Sequence, residues 1–137
     1  MRIAVSPRLS RNRIAGASRV SRLQAGALRS TARDLALYAQ ALTGRTPTPP
    51  AGPLRTALRL VLCPPPDPAV PLAWNRRVRQ GRTLYFHSGS TRGHQAFIGF
   101  SPETVSGVAA LTSHGCTLRN SFIQDTYMLL RHCAGIT

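Results

Sequence analysis

The chain has 137 residues, enough for one domain and too few for two ordinary ones, and its eighteen bases outweigh its four acids to give a formal net charge of +14. Every base is an arginine, so the sequence offers no lysine for a phosphate-binding loop, a Schiff base or a Ser-x-x-Lys nucleophile pair. Four acids are also too few to favour a carboxylate metal cage or a two-carboxylate glycosidase site.

The three cysteines, Cys63, Cys116 and Cys133, are far apart, and no two of them form a C-x-x-C pair. We therefore expect neither a metal site nor a cofactor. No stretch approaches the roughly 18 apolar residues that span a bilayer. The apolar run Ile3–Val5 is too short for a secretory signal. The sequence does not fix a compartment, and the cytoplasm is the default expectation.

The amino-terminal segment is strongly basic. Residues 1–33 hold eight arginines and no acid, and residues 1–24 show neither an aromatic residue nor a sustained apolar period. Such a segment cannot bury enough surface to offset its ordering entropy, so we predict a disordered basic arm over residues 1–24. Organelle transit peptides share this composition. The charge would attract a polyanion, but the absence of stacking aromatics before Tyr38 argues against a nucleic-acid partner.

The first predicted helix covers residues 31–43. Thr31 and Asp34 have the spacing of a capping box, and Gly44 suits the left-handed conformation that ends a helix. Its apolar positions recur with helical period and are Leu35, Tyr38, Ala39 and Leu42.

A proline-rich connector over residues 45–53 leads to a second predicted helix. Pro53 suits the first turn of this helix, and the prolines at 64–66 end it because they lack the amide donor. The expected apolar positions are Leu54, Leu58, Val61 and Leu62.

From residue 72 onward the pattern changes from helical to extended. The predicted strands are 72–78, 82–87, 95–100 and 107–112. Gln80-Gly81 suits a hairpin turn, and residues 88–94 are predicted as a glycine-containing loop. Within the second strand, alternation places Leu84 and Phe86 on one face and Tyr85 and His87 on the other.

A final helix is predicted over residues 118–132. One side of it carries Phe122, Thr126, Leu129 and Cys133. Helices followed by consecutive strands and a last helix indicate an α+β fold, in which an antiparallel sheet of three to four strands is flanked by helices.

Three tracts of the sequence resemble one family. Residues 25–35, AGALRSTARDL, are similar to a stretch A-G-G-L-x-S-T-A-x-D-L, and residues 85–103 are similar to G-H-T-G-x-x-G-(Y/F)-x-x-x-(L/I)-G-(F/I)-x-P-E. Residues 108–113, VAALTS, are similar to V-V-V-L-T-N. Over residues 25–134 the chain thus resembles the serine β-lactamase and penicillin-binding-protein superfamily, especially its class C-like branch.

The resemblance assigns roles to one short segment. The third active-site box of that family is matched by His87-Ser88-Gly89. By this resemblance His87 is a catalytic donor or proton-handling group, and Ser88 binds the substrate carboxylate or amide by hydrogen bonding. Gly89 lets the substrate backbone approach the strand. The backbone N–H of Ser90 is one of two donors to the oxyanion.

Two other boxes of the family are absent. The chain has no Ser-x-x-Lys, and its tyrosines at 38, 85 and 127 are not followed by the asparagine of Tyr-x-Asn. We therefore expect residues 25–137 to be the carboxy-terminal part of a β-lactamase-like hydrolase domain, an incomplete transpeptidase-like fold that is inactive alone. The implied substrates are small molecules or peptides, and the choice between a β-lactam, a D-peptide and an ester stays open.

The alternative is a non-enzymatic interaction module. It would bind a polyanion such as RNA or DNA through residues 2–33, or a complementing chain that carries the missing strands.

Overall fold

The computed structural model describes residues 29–46, 48, 50–62, 73–91, 93–115 and 121–137. The predicted arm, 1–24, and the first part of the 25–35 tract lie outside these residues. The elements in chain order are α1 (Ala32–Leu42), α2 (Gly52–Leu62), β1 (Asn75–Arg79), β2 (Arg82–Thr91), β3 (His94–Ser101), β4 (Ser106–Thr112) and α3 (Phe122–Cys133). None of the helices in the described residues is long and apolar enough to cross a bilayer.

The four strands form one antiparallel sheet in the order β1-β2-β3-β4. Helix α3 packs on one face, against β3 and β4, while α1 packs on the other face and α2 packs on α1. The predicted α+β class, with an antiparallel sheet flanked by helices, is confirmed.

The hairpin turn between β1 and β2 is the predicted one. Gln80 and Gly81 both have positive φ, 48° and 72°, which is the conformation of the two-residue turns that match the twist of a hairpin. The predicted loop over residues 88–94 is wrong. Strand β2 continues to Thr91, and Ser88 to Thr91 pair with Phe97 to His94. Serine and glycine suggested a loop there, but the ladder hydrogen bonds with β3 keep the segment extended.

The larger hydrophobic cluster lies between the sheet and α3. Leu84, Phe97, Val108 and Leu130 are almost completely buried in it. The predicted side of this helix included Leu129, but Leu129 is 39% exposed and Leu130 is fully buried. A helix that starts at Phe122 and buries Thr126 continues its buried stripe at the next i+4 position, which is Leu130.

The opposite cluster joins the sheet to α1 and α2. Its buried members are Leu42, Leu58, Trp74, Tyr85 and Phe100. The Trp74 ring meets Phe100 edge-on at 5.0 Å between centroids, and Tyr85 stacks on Phe100 at 5.4 Å. The side chains of Trp74, directly before β1, and of Tyr85, in the middle of β2, therefore pack on the same face of the sheet.

The capping box of α1 is confirmed. The N–H of Asp34 donates to Thr31 Oγ1 at 3.1 Å, and the N–H of Thr31 donates to Asp34 Oδ2 at 3.3 Å. The buried residues of α1 are Ala36, Ala39 and Leu42. Ala39 and Leu42 are among the predicted apolar positions, whereas Ala36 is not. Leu35 is only half-buried, and Tyr38 is 41% exposed. The small alanines let α1 lie close to β4.

Helix α2 packs mainly on α1 and buries few of its side chains. Of its predicted apolar positions, Leu58 is buried and Val61 is half-buried, but Leu54 is 58% exposed. The side chain of Leu62 lies outside the described residues. Leu54 stays exposed because α2 meets the rest of the fold mainly through α1, at one narrow stripe.

Glu103 ties β2 to the turn between β3 and β4. Its Oε1 accepts the backbone N–H of Thr83 at 3.1 Å, and its Oε2 accepts the hydroxyl of the fully buried Ser101 at 3.0 Å. Burial raises the pKa of the Glu103 carboxyl, but hydrogen bonds from its own backbone, Thr83 and Ser101 outweigh burial and leave the pKa below its ordinary value. The ionised carboxylate therefore stabilises the register of β2.

We expect the Glu103→Gln variant to lose part of the acid sensitivity of the fold. Since the folded pKa of Glu103 lies below the unfolded value near 4.5, its contribution is present above that pH and disappears as the pH falls through the folded pKa. Thermal unfolding followed by circular dichroism from about pH 6 to about pH 3 should give a flatter Tm profile for the variant. Identical profiles for the two proteins would contradict this role.

Candidate active-site strand

Strand β1 covers only the first half of β2. The ladder between them begins at Arg79↔Arg82 and ends at Asn75↔Phe86, one residue before His87. Before β1 the chain turns away at Ala73, where φ is 60°. On its other edge β2 pairs with β3 as far as Thr91. Among the described residues, therefore, no strand pairs with the outer edge of β2 from residue 87 to residue 91.

The backbone groups on that outer edge follow from the hairpin. In a two-residue hairpin the flanking pair, here Arg79 and Arg82, exchanges both hydrogen bonds, so even-numbered residues of β2 direct their N–H and C=O toward β1. The N–H of Thr83 donates to Glu103 on the opposite side, in agreement with this alternation. Ser88 and Ser90 consequently present their N–H and C=O on the outer edge that β1 leaves uncovered.

The side chains of the predicted site alternate between the two faces. His87 is exposed and lies on the face that carries Tyr85, α1 and α2, opposite Ile98 of β3. Ser88 is half-buried opposite Phe97 on the α3 face, and Ser90 is exposed on that same face. The four predicted residues are therefore continuous along one edge. On this edge the imidazole of His87 and the outward N–H and C=O groups of Ser88 and Ser90 are accessible.

Gly89 lies on the His87 face and is extended, with no positive φ. A Cβ added at Gly89 would meet no atom within 4 Å. Gly99 differs, because a Cβ there would lie 2.6 Å from Leu130 Cδ2. Packing requires a glycine at position 99, whereas neither packing nor backbone conformation requires one at position 89. A strand glycine without a structural reason is typical of a place where a ligand approaches the backbone.

The other histidines of the strands do not extend this site into a metal centre. No group of three or more potential metal-ligating side chains occurs within the described part of the chain. His94 is exposed at the tip of the β2–β3 hairpin, and the Nδ1 of exposed His114 lies 3.2 Å from the Thr112 hydroxyl.

Sequence reasoning missed two features of this region. It placed a loop where Ser88 to Thr91 continue the strand. It also gave no sign of an open cavity of about 350 Å³ at the far end of β3, lined by Gln40, Thr43, Arg45 and Val105. That cavity lies beside the β3–β4 turn and does not include His87.

Comparison with protein families identifies one match. A family model described as Beta-lactamase matches residues 3–131, a range that begins upstream of the motif-based resemblance at Ala25. No curated protein matches the chain, and no solved structure matches it either.

We expect Gly89→Ala and Gly99→Ala to have opposite effects on stability. Alanine at position 99 meets Leu130 and should lower the free energy of unfolding by about 1–3 kcal/mol. Alanine at position 89 enters open space and should raise it by up to about 1 kcal/mol, since glycine weakens a strand. Urea denaturation measures both. If Gly89→Ala destabilises as much as Gly99→Ala, the glycine is structural and the argument for ligand approach fails.

Proposed function

The chain belongs to the β-lactamase family, and on that premise we propose that β2 forms one wall of the acyl-transfer cleft of a serine hydrolase. The observation that carries this proposal is the outer edge of β2 beyond Phe86, with which no strand of the described residues pairs. There the outward N–H groups and the exposed imidazole of His87 lie next to a glycine that the fold does not need.

Each residue of this wall has a separate task. His87 donates to, or exchanges a proton with, the reacting group, because an imidazole can donate a proton through one ring nitrogen and accept one at the other. Ser88 holds the substrate carboxylate or amide through a hydrogen bond, and Gly89 lets the substrate backbone come close to the strand. The N–H of Ser90 donates to the oxyanion of the tetrahedral intermediate, a contact typically worth about 3 kcal/mol in the transition state.

The attacking group of the reaction is not supplied by these residues. Acyl transfer of this type needs a nucleophile activated by a neighbouring base, and the 137 residues contain no lysine for a Ser-x-x-Lys pair. The wall therefore acts on a small-molecule or peptide substrate only together with a nucleophile from another polypeptide segment.

The isolated chain should show no acyl-transfer turnover. With a chromogenic cephalosporin or a p-nitrophenyl ester we expect neither a burst nor a steady rate above the buffer rate, because no activated serine is present. Stopped-flow absorbance together with intact-protein mass measures both product and acyl adduct. Saturable acylation of any serine in this chain would contradict the proposal.

Complementation tests the wall itself. We expect hydrolysis to appear when the chain is mixed with a separate segment of a family member that contains Ser-x-x-Lys and Tyr-x-Asn. Strand β4 is a suitable junction, because it lies at the sheet edge opposite β1, carries no charge and is buried from Gly107 to Ala110. No strand of the described residues pairs with its outer side, so its backbone can pair with an added strand.

The matched control for this mixture is a pair of histidine variants. His87→Ala should lower the restored rate by about 100-fold or more, the usual contribution of a positioned proton-handling group. His132→Ala, an exposed histidine of α3 behind the sheet, should leave the rate unchanged. Equal rates for the two variants would show that His87 takes no part in the reaction.

The interaction-module alternative concerns residues 2–33, nearly all of which lie outside the described residues, and it stays a prediction. A salt-dependent shift of RNA that disappears when the arm is deleted would support it.

A further inference from the structure

Strand β1 is a basic outer edge of the sheet. It is the first strand in the order β1-β2-β3-β4, all five of its residues are exposed, and three of the five are arginines. Its one large apolar side chain, Val78, is 53% exposed. The strand thus offers backbone and charge to solvent together.

The arginines are arranged on both faces of this edge. The register pairs Arg77 with Leu84 and Arg79 with Arg82, which places them on the α3 face, while Arg76 pairs with Tyr85 on the α1 face. The guanidinium of Arg77 lies 5.7 Å from the centroid of the Tyr127 ring, and Arg82 donates to the Ala134 carbonyl at the end of α3. Of the three β1 arginines, Arg77 is thus positioned before any partner arrives.

The side-chain carboxylates of the described residues are all engaged elsewhere. Asp34 caps α1, Glu103 accepts from Thr83 and Ser101, and Asp125 accepts from the Ser121 hydroxyl. Within the described part of the chain, the charge on β1 is therefore not neutralised by these groups. A partner with negative charge on both sides of its backbone would complement it.

The backbone of β1 distinguishes between kinds of anionic partner. Because Arg79 and Arg82 exchange both hydrogen bonds across the hairpin, alternation directs the N–H and C=O of Val78 and Arg76 away from β2. A phosphodiester chain accepts from the N–H groups but leaves the outward carbonyls without donors. An extended peptide supplies both donors and acceptors.

We propose that the outer edge of β1 binds an acidic peptide segment by strand addition, with carboxylates of the added strand facing Arg76 on one side and Arg77 and Arg79 on the other. The like charge of two β1 edges opposes pairing with a second copy of the chain, so the arrangement selects an acidic partner. This inference is independent of the acyl-transfer cleft, which lies beyond the end of β1 on β2.

The test uses the full chain and a fluorescein-labelled Glu/Thr peptide of Glu-Glu-Thr-Thr repeats, which carries carboxylates on both faces when it is extended. A Gln/Thr peptide of Gln-Gln-Thr-Thr repeats and equal length is the uncharged probe. Fluorescence anisotropy should show binding of the Glu/Thr peptide at least about tenfold tighter than that of the Gln/Thr peptide. Arg77→Gln with Arg79→Gln should weaken binding at least about tenfold. The matched control, Arg55→Gln with Arg59→Gln on exposed positions of α2, removes the same charge and should change binding less than about twofold.

A further variant separates strand addition from simple charge attraction. Val78→Pro removes an N–H that faces away from β2, so the hairpin keeps its ladder and its charge, while the edge loses a donor. We expect at least about tenfold weaker binding of the Glu/Thr peptide, with folding checked by circular dichroism. If Val78→Pro disrupts folding, the two arginine pairs decide the outcome.

Three results would overturn the proposal. Equal loss of binding in the β1 and α2 arginine pairs would show that net charge alone attracts the peptide. Unchanged binding by a folded Val78→Pro variant would exclude backbone pairing. Competition by a single-stranded RNA of equal charge, with the same sensitivity to Arg77 and Arg79 and no sensitivity to Val78→Pro, would identify a polyanion site instead.

Discussion

The pairing of β2 with β3 is the constraint on which the rest of the structure depends. It fixes which side chains of β2 face α1 and which face α3, since a shift by one residue would exchange the two faces. Leu84 and Phe97 hold the register on the α3 face, Tyr85 stacked on Phe100 holds it on the other, and the Glu103 carboxylate extends it past the last ladder pair. His87 is exposed on the face of the sheet that carries α1 and α2, and this position is a direct result of the register.

Alternation along a strand is a local property, and for that reason it could be predicted from the sequence. The positions of Tyr85 and His87 on one face, the Gln80-Gly81 turn and the capping box at Thr31 all depend on neighbouring residues alone. The end of β2 could not be predicted in this way. Serine and glycine favour turns when nothing pairs with them, and only the long-range ladder to β3 decides that residues 88–91 stay extended.

Helix faces were predicted less well for the same physical reason. The choice between Leu129 and Leu130 as the buried residue of α3 depends on how the helix is rotated over the sheet, which Phe97 and Val108 determine from a distance in sequence. The exposure of Leu54 likewise reflects how little of α2 touches the fold. The composition of the edge from His87 to Ser90 was available from the sequence. Its accessibility was not, because it follows from where β1 ends.

The two outer strands of the sheet show that its edges are not equivalent. β1 is short, exposed and rich in arginine, features that protect an edge from unselective pairing. β4 is uncharged and mostly buried, although it too has no neighbour among the described residues on its outer side. Helices α1 and α3 cover both faces of β4 and leave its backbone edge as the remaining surface. Under the two proposals, an apolar strand extends the sheet at β4 and a partner of opposite charge binds at β1, so the two edges take different partners. Between them, the uncovered end of β2 is long enough for a short ligand backbone. It is also the part of the sheet where a glycine is retained against its cost to strand stability, about 0.5–1 kcal/mol relative to alanine. That cost has no return in the packing of this fold, and for this reason we propose that a ligand approaches the backbone closely there.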